Sequence, residues 1–181
     1  MANRQIVVGM AGNPNVGKSA IFNALTGRRQ HVGNWPGKTI ERAEGTLSHN
    51  RLEIQLVDLP GTYSLAAQSP EEVIARNYIV SEEPDVVVNV VDATRLERNL
   101  NLTLQILELT GSVVVALNLM DEVRREGWEI DTEALESELG APVIPTVATD
   151  GTGLPELVET IVETAEGRLT ARPVSVDYGL T

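Results

Sequence analysis

The sequence predicts an α/β fold: a mostly parallel sheet of about six strands with one antiparallel edge strand, and helices on both faces. Short, nearly continuous apolar runs alternate with stretches of helical period, which is typical of parallel strands covered on both sides. One glycine-rich segment, GNPNVGKS, follows the first apolar run and opens the first helical pattern. The only local hairpin joins ERAEGTLS to RLEIQLVD across His49-Asn50, which makes those two strands antiparallel neighbours.

The predicted elements follow from these patterns in chain order. Strands are predicted in QIVVGMA, ERAEGTLS, RLEIQLVD, DVVVNVVD, SVVVALN and PVIPTV. Helices are predicted in KSAIFNALTG, PEEVIARNYIV, RNLNLTLQILELTG, DTEALESELG and LPELVETIVETAEG, where apolar residues recur at helical spacing. The segment GNWPGKT (33–39) contains Gly33, Pro36 and Gly37, so we expect it to be poor in regular structure, with no strand before it and a β pattern after it.

Length and composition limit the function classes. The 181 residues suit one domain, predicted to span 1–166, and the unpatterned residues 167–181 read as a linker towards further domains. With no cysteine and no secretory pattern, the cytosol is the expected compartment. The apolar runs are far shorter than the roughly 18 residues of a membrane span, so we expect a soluble chain. A net charge of −12 argues against a nucleic-acid partner.

The segment from Gly12 to Ser19 matches the phosphate-loop pattern G-x-x-x-x-G-K-[ST] in full. Its backbone N–H groups would turn towards a phosphate, Lys18 would bridge the β- and γ-phosphates, and Ser19 would bind Mg²⁺. A second Gly-Lys-Thr, at 37–39, lacks a glycine five residues earlier, because Val32 stands there. The candidate nucleotide-contacting residues of the loop are Gly12, Asn13, Pro14, Asn15, Val16, Gly17, Lys18, Ser19 and Ala20.

Two downstream motifs identify the nucleotide. Asp58-Leu-Pro-Gly61 ends a strand, in the pattern where an aspartate holds Mg²⁺ through water and a glycine N–H meets the γ-phosphate. Asn118-Leu119-Met120-Asp121 ends another strand and fits the guanine motif N-K-x-D with leucine in place of lysine. A carboxylate at Asp121 can accept both the N1–H and N2–H₂ of guanine, donors that adenine lacks. Together these motifs predict a Ras-like G domain of the P-loop NTPase class.

With these motifs in place, the chain resembles the N-terminal cytosolic G domain of the ferrous iron transport protein B family, among the TrmE-Era-EngA-like GTPases. The resemblance is carried by GNPNVGKS, VGNWPGKTIE, DLPGTYSL and NLMDE, which cover residues 5 to 165 with their spacing. It implies a GTP-binding, GTP-hydrolysing domain at the cytoplasmic face of the membrane. Its implied partners are the helical and transmembrane permease domains of a longer chain, together with small cytosolic accessory proteins of iron transport.

The resemblance also implies roles for the second Gly-Lys-Thr and for the base loop. Residues around Gly33 to Thr39 would form the first switch segment, in which Gly37 lies near the nucleotide and Thr39 reaches Mg²⁺ and the γ-phosphate. Val147, Ala148 and Thr149 resemble the loop whose alanine N–H contacts guanine O6, with valine in place of the usual serine. The sequence leaves open whether Trp35 is buried or exposed near the nucleotide.

Departures from better-known GTPases bear on the reaction. Thr62 stands where signalling GTPases carry the glutamine that orients water, and no arginine finger is evident, so we expect slow hydrolysis. The side-chain carbonyl of Asn15 could bind K⁺ where a finger would act, and resemblance to potassium-activated GTPases adds the backbone carbonyls of Gly33 and Trp35. The alternative role for Asn15 is that its side chain only hydrogen-bonds its own loop.

The alternative function for the whole chain is that of a free-standing ribosome-assembly GTPase. Such a protein would need a basic RNA-binding extension, and this chain is strongly acidic.

Overall fold

Seven strands form one sheet in the order β2-β3-β4-β1-β5-β6-β7, in a computed structural model that describes residues 4–169. The parallel strands were all predicted, as was the antiparallel pairing of β3 with β4. The predicted linker falls mostly on residues 170–181, which lie outside the described part of the chain. The strand bounds are β1 (Gln5–Gly12), β2 (Gln30–Asn34), β3 (Glu41–His49), β4 (Leu52–Asp58), β5 (Val86–Asp92), β6 (Val113–Asn118) and β7 (Val143–Pro145).

The helices cover both faces of the sheet. Alternate residues of β5 divide between the two cores, with Val87 and Val91 facing α2 and α3, and Val88 and Val90 facing α1 and α6. A π-helical turn, Tyr78–Glu82, continues α2, and a short 3₁₀ turn, Ala93–Arg95, precedes α3. The helix bounds are α1 (Lys18–Thr26), α2 (Pro70–Asn77), α3 (Leu96–Leu109), α4 (Met120–Arg125), α5 (Thr132–Leu139) and α6 (Leu154–Ala165).

Strand β2 corrects the prediction that no strand precedes GNWPGKT, whereas residues 35–40 of that segment form no helix or strand, as predicted. It pairs antiparallel with β3, from Gln30 opposite Gly45 to Asn34 opposite Glu41. All five of its residues are exposed, so no alternation of apolar side chains marks it in the sequence. The antiparallel strand β3 therefore lies one position inside the sheet, and β2 forms the edge.

Two smaller differences concern short elements. The turn between β3 and β4 is formed by Asn50 and Arg51, one residue later than predicted, and both have positive φ angles (46° and 66°) as hairpin turns of this kind require. Helix α4 was not predicted because six residues are too few to show a helical period. Within residues 4–169, no helix has the length and apolarity needed to cross a bilayer.

Candidate nucleotide-binding site

The phosphate loop follows β1 and closes on the first residue of α1. Asn15 and Gly17 both have left-handed backbones, with φ angles of 64° and 86°, and Gly17 is the N-terminal cap of α1. A Cβ atom on Gly17 would overlap Nδ2 of Asn118, so only glycine fits there. The positive end of the α1 dipole lies at this loop, where it favours an anion.

Lys18 joins the phosphate loop to the end of β4. Its Nζ donates to Oδ1 of Asp58 and, at 2.7 Å, to the carbonyl oxygen of Leu59. The side chains of Lys18 and Asp58 are only 10% and 19% exposed, so this ion pair is poorly screened by solvent. The structure therefore brings together the first two sequence motifs, and places the hydroxyl-bearing Ser19 next to Lys18 at the exposed start of α1.

The segment after Asp58 lies directly against the phosphate loop. A Cβ on Gly61 would be 3.3 Å from Cα of Pro14, and the N–H of Thr62 donates to the carbonyl of Gly12 at 3.1 Å. Thr62 is 5% exposed. It is packed behind the loop, so its side chain is not free to orient a water molecule in the manner of the glutamine it replaces.

The buried side chain of Asn118 connects the phosphate loop to the predicted base loop. Its Nδ2 donates to the carbonyl of Val16 at 3.0 Å, and its Oδ1 accepts from the N–H of Ala148 at 3.2 Å and from the hydroxyl of Thr146 at 3.1 Å. One side chain thus fixes the spacing between Val16 and Ala148, two loop residues far apart in the sequence. The Ala148 N–H that was predicted to meet the base is, in this arrangement, bonded to Asn118.

The other predicted base-contacting residues either follow Asn118 in the chain or flank Ala148. Leu119 has a left-handed backbone (φ 66°), which turns the chain into α4, and Asp121 lies in the first turn of that helix. The carboxylate of Asp121 is 3.1 Å from Nη2 of Arg125, and its side chain is 39% exposed. Val147 is buried and its N–H donates to the carbonyl of Thr152, whereas Thr149 is exposed.

The predicted switch residues lie on the exposed segment between β2 and β3. Gly33 belongs to β2, and Gly37 has a positive φ of 70° in a turn closed by a 2.9 Å bond from the Lys38 N–H to the Trp35 carbonyl. Thr39 is exposed, and its side chain makes no hydrogen bond with any residue from 4 to 169. Trp35 is 5% exposed, which settles the alternative that the sequence left open in favour of burial.

A polar cavity of about 310 Å³ beside the phosphate loop includes residues that the sequence analysis missed. Asp92 at the end of β5 and Asn99 of α3 are both buried, and the guanidinium of Arg98 lies 4.5 Å above the Tyr63 ring. Both amide atoms of Asn13 are buried without a hydrogen-bond partner among the described residues. Asp92 ends a parallel strand, as Asp58 and Asn118 do, so the same rule could have identified it.

Comparison with known proteins places these features in one family. Residues 6–161 match the family model of ferrous iron transport protein B. The chain is 49% identical over 176 residues to an Fe(2+) transport protein A/Fe(2+) transporter FeoB fusion protein from Porphyromonas gingivalis W83, covering 96% of this chain and 21% of that protein. It is 50% identical over 158 residues to the Fe(2+) transporter FeoB of Escherichia coli K12, covering 85% of this chain and 20% of that protein.

The fold is likewise similar to a solved structure. The cytosolic domain of the Thermotoga maritima FeoB iron transporter in a GDP form superposes with a TM-score of 0.94 at 44% identity, covering 98% of this chain and 70% of that chain. The present chain spans about a fifth of the length of the curated relatives it matches.

Proposed function

This chain belongs to the N-terminal domain family of ferrous iron transport protein B, and from that premise we propose that it binds GTP and GDP and hydrolyses GTP slowly as a regulatory G domain. One observation carries the proposal: Asn118 ties the carbonyl of Val16 in the phosphate loop to the N–H of Ala148 in the base loop. A ligand with phosphates at one end and a base at the other fits such a pair of fixed loops. The solved relative in a GDP form supports the same ligand class.

We assign the two ends of the nucleotide to different elements. Phosphates would lie on the N–H groups of Asn13 and of residues 15–20, with Lys18 exchanging its bond to Asp58 for phosphate oxygens. Guanine would lie against Leu119 and be selected by the carboxylate of Asp121, which would exchange its contact with Arg125 for the base. The Ala148 N–H would turn from Asn118 to the guanine carbonyl, while Asn118 would keep its bonds to Val16 and Thr146. Val147 and Thr149 would hold that loop in position.

The oxygen donors around Lys18 fit Mg²⁺, a cation that prefers oxygen ligands and retains water. Ser19 follows Lys18 in the chain, the carboxylate of Asp58 contacts the Lys18 ammonium, and Thr39 would join these two oxygen donors after movement of the switch segment. Bound Mg²⁺ would neutralise charge that develops on the transferred phosphate. The N–H of Gly61, close to Pro14, would bind the γ-phosphate.

We further propose that K⁺ stimulates hydrolysis through Asn15. The left-handed backbone of Asn15 leaves its amide exposed, and no described residue hydrogen-bonds that amide, which favours a ligand over a loop-stabilising role. The carbonyls of Gly33 and Trp35 would complete the shell. The Trp35 carbonyl accepts the Lys38 N–H, so this shell would require the turn at 36–38 to reorganise.

At the level of the whole protein, we propose that nucleotide-dependent movement of the switch segment controls ferrous iron uptake by membrane domains of a longer chain. The relatives about five times as long as this chain are named Fe(2+) transporters, which supports this role. The domain would then work at the cytoplasmic face of the membrane, beside a helical domain and accessory proteins of iron transport. Nucleic acid is not among the proposed partners, because the net charge is −12.

The two Gly-Lys-Ser/Thr sequences provide a matched test of this function. We expect fluorescent GDP to bind and to be displaced by GTP but not by ATP, and GTP to be hydrolysed. Lys18→Ala should weaken GTP binding by roughly a hundredfold, since it removes a buried charge from the phosphates. Lys38→Ala, which removes an exposed lysine from the second sequence, should bind within about twofold of the parent.

Base selection is tested in the same assay. Asp121→Asn should lower GTP affinity by at least about a hundredfold and improve binding of xanthosine triphosphate, because an amide matches the xanthine edge better. Glu122→Gln, a neighbouring exposed residue, is the control. Equal GTP binding by the Asp121 and Glu122 variants would refute the assignment of the base loop, and displacement of GDP by ATP would refute guanine selectivity.

A further inference from the structure

One side chain anchors the exposed switch segment, defined here as residues 33–39. Trp35 is 5% exposed, whereas Asn34, Pro36 and the residues up to Thr39 are exposed. The segment therefore has a single large apolar contact with the rest of the domain. Loss of that contact would leave the segment held only by its backbone bonds, by β2 and by the adjoining Ile40, which is half-buried against the same core.

Trp35 packs between strand β3 and the π-helical turn that follows α2. The rings of Trp35 and Tyr78 meet edge to face, with centroids 6.0 Å apart and planes at 81°. The guanidinium carbon of Arg42 lies 4.3 Å from the Trp35 ring centroid, in cation–π geometry. Arg42 is oriented by Glu44 (Nε–Oε1 2.6 Å) and approaches Glu82 of the π-helical turn at 3.7 Å.

Tyr78 extends this contact to the strand that carries the phosphate loop. A Cβ atom on Gly9 of β1 would be 2.6 Å from Cε1 of Tyr78, so the missing side chain at Gly9 makes room for the tyrosine ring. Gly9 lies three residues before Gly12, where the phosphate loop begins. Burial, with the nearby charge of Glu82 as a second cause, raises the pKa of Tyr78 above its usual range, so the hydroxyl stays protonated.

Two buried polar groups in this contact lack hydrogen bonds to the described part of the chain. The Trp35 Nε1–H and the Tyr78 hydroxyl are both buried, and neither has a hydrogen-bond partner among residues 4–169. Unpaired buried polar groups cost free energy, which offsets part of the gain from burying the two rings. The contact is therefore weaker than its buried apolar area suggests, and a weak contact can open and close reversibly. π-Helical turns are also frequent at functional sites.

Backbone bonds make the loop tip move with Trp35. The N–H of Trp35 donates to the carbonyl of Ile40, and its carbonyl accepts the N–H of Lys38, both at 2.9 Å. These two bonds close the turn that contains Gly37 and Thr39. The backbone around Thr39 is therefore connected directly to that of Trp35.

We propose that Trp35 is a nucleotide-controlled latch: docked against Tyr78 and Arg42, it holds the switch segment with Thr39 exposed, and it leaves this pocket when Thr39 engages the γ-phosphate site. The latch rests on the proposed GTP binding. It goes beyond that function because it identifies where Trp35 docks, and names Tyr78 and Arg42 as the residues that hold the switch segment away from the γ-phosphate site. It also links the first switch segment to the end of α2 and, through Gly9, to β1. The binding of γ-phosphate shifts the balance by favouring the undocked state.

The two tryptophans of the chain make the latch directly measurable. Trp128 is 53% exposed and follows α4 in the chain, so Trp128→Phe removes an exposed side chain and leaves Trp35 as the only tryptophan fluorophore. In this background, acrylamide quenching and the emission maximum are measured with saturating Mg²⁺–GDP and with a non-hydrolysable Mg²⁺–GTP analogue. We expect blue-shifted emission with GDP, and a quenching constant about threefold larger with the analogue.

Three further variants test the docking residues in the same background. Tyr78→Ala and Arg42→Met should raise Trp35 quenching in the GDP state to within about twofold of the analogue state, because each removes one wall of the pocket. Tyr78→Phe is the matched control: it keeps the ring and removes only the unpaired hydroxyl, so quenching of Trp35 in the GDP state should not exceed that of the parent. Circular dichroism melting identifies variants that fail to fold. If Tyr78→Ala does not fold, the test relies on Arg42→Met.

Each outcome separates the latch from the proposed function. Equal quenching in the two states, with binding of both nucleotides verified by displacement of fluorescent GDP, would overturn the latch and leave the proposed function intact. An inaccessible Trp35 in folded Arg42→Met and Tyr78→Ala proteins would also overturn it. Failure of the parent to bind either nucleotide would overturn both.

Discussion

Asn118 is the residue on which the geometry of the candidate site depends most. Its amide is 1% exposed and bonds to Val16, Thr146 and Ala148, so every polar atom has a partner. Fully satisfied buried networks fix one arrangement, because any displaced member leaves a polar group unpaired. The neighbouring Asn13 is the opposite case, with both amide atoms buried and unpartnered among the described residues.

Two glycines with the same backbone conformation should respond differently to substitution. Gly17 and Gly37 have φ angles of 86° and 70°, but an added Cβ overlaps Asn118 only at Gly17 and meets nothing within 4 Å at Gly37. Gly37→Ala should lower the free energy of unfolding by about 1 kcal/mol from backbone strain alone. Gly17→Ala should lower it by roughly 2–4 kcal/mol, because steric overlap is added. Urea denaturation measures both, and equal losses would show that the overlap relaxes freely.

The proposed role of Asn15 predicts a difference between two salts. GTP turnover should be several-fold faster in KCl than in NaCl at equal ionic strength, because a bound K⁺ would supply positive charge where the phosphates need it. Asn15→Ala should remove most of this difference and keep GDP affinity within about threefold. Asn23→Ala is a control for general effects of removing an exposed asparagine. Equal turnover of the parent in both salts would exclude the cation mechanism.

At the level of elements, a buried polar chain attaches α3 to the strands that carry the site. The hydroxyl of Thr103 donates to Oδ1 of Asn89 at 2.5 Å, and Nδ2 of Asn89 faces the carbonyl of Ala11 at 3.4 Å. Thr103 and Asn89 are almost fully buried. Ala11 directly precedes the phosphate loop, so α3, β5 and the end of β1 are held in register by polar contacts as well as by apolar packing.

Thr103→Val should therefore destabilise the domain by about 1–3 kcal/mol, since the isosteric change leaves the buried Asn89 carbonyl unpaired. Thr160→Val in α6 is the matched control, because the Thr160 hydroxyl bonds only to its own helix, at the carbonyl of Glu156, and is more exposed. Thr160→Val should lower the free energy of unfolding by no more than about 0.5 kcal/mol. Comparable losses in thermal or chemical unfolding would contradict a structural role for the Asn89 network.

Strand β2 and helix α4 show where prediction of elements from sequence is limited. Buried strands such as β5 and β6 are marked by their apolar residues, and all of them were predicted. Strand β2 carries five exposed residues and is held by backbone bonds to β3, which leave no side-chain pattern. Helix α4 is stabilised by its position after the left-handed Leu119 and has too few residues for a period.

At the scale of the whole molecule, the dominant feature is an excess of 12 negative charges. Mutual repulsion of these charges opposes the compact state and is screened by salt. Raising NaCl from about 20 to about 500 mM should therefore raise the melting temperature of the nucleotide-free domain by several degrees. KCl should have the same effect, because screening does not distinguish the two cations. A falling melting temperature would show that attractive surface pairs outweigh the repulsion.

The sequence by itself determined the class of sheet, the order of most elements and the motifs that end β1, β4 and β6. It could do so because a parallel sheet buries whole strands and gathers their carboxyl ends at one edge, so local patterns suffice. The same reasoning distinguished the phosphate loop from the second Gly-Lys-Thr by its spacing.

Only the tertiary structure decided how these parts contact one another. Trp35 is buried because Tyr78 and Arg42 pack against it. Lys18 donates to Asp58, and the side chain of Asn118 limits the space beside Gly17. None of these pairs is adjacent in the sequence, and contacts between distant residues arise only when strands pair and helices pack. The physical reason is that a pattern along the chain reports which face a residue presents, whereas its partner is set by the folded topology.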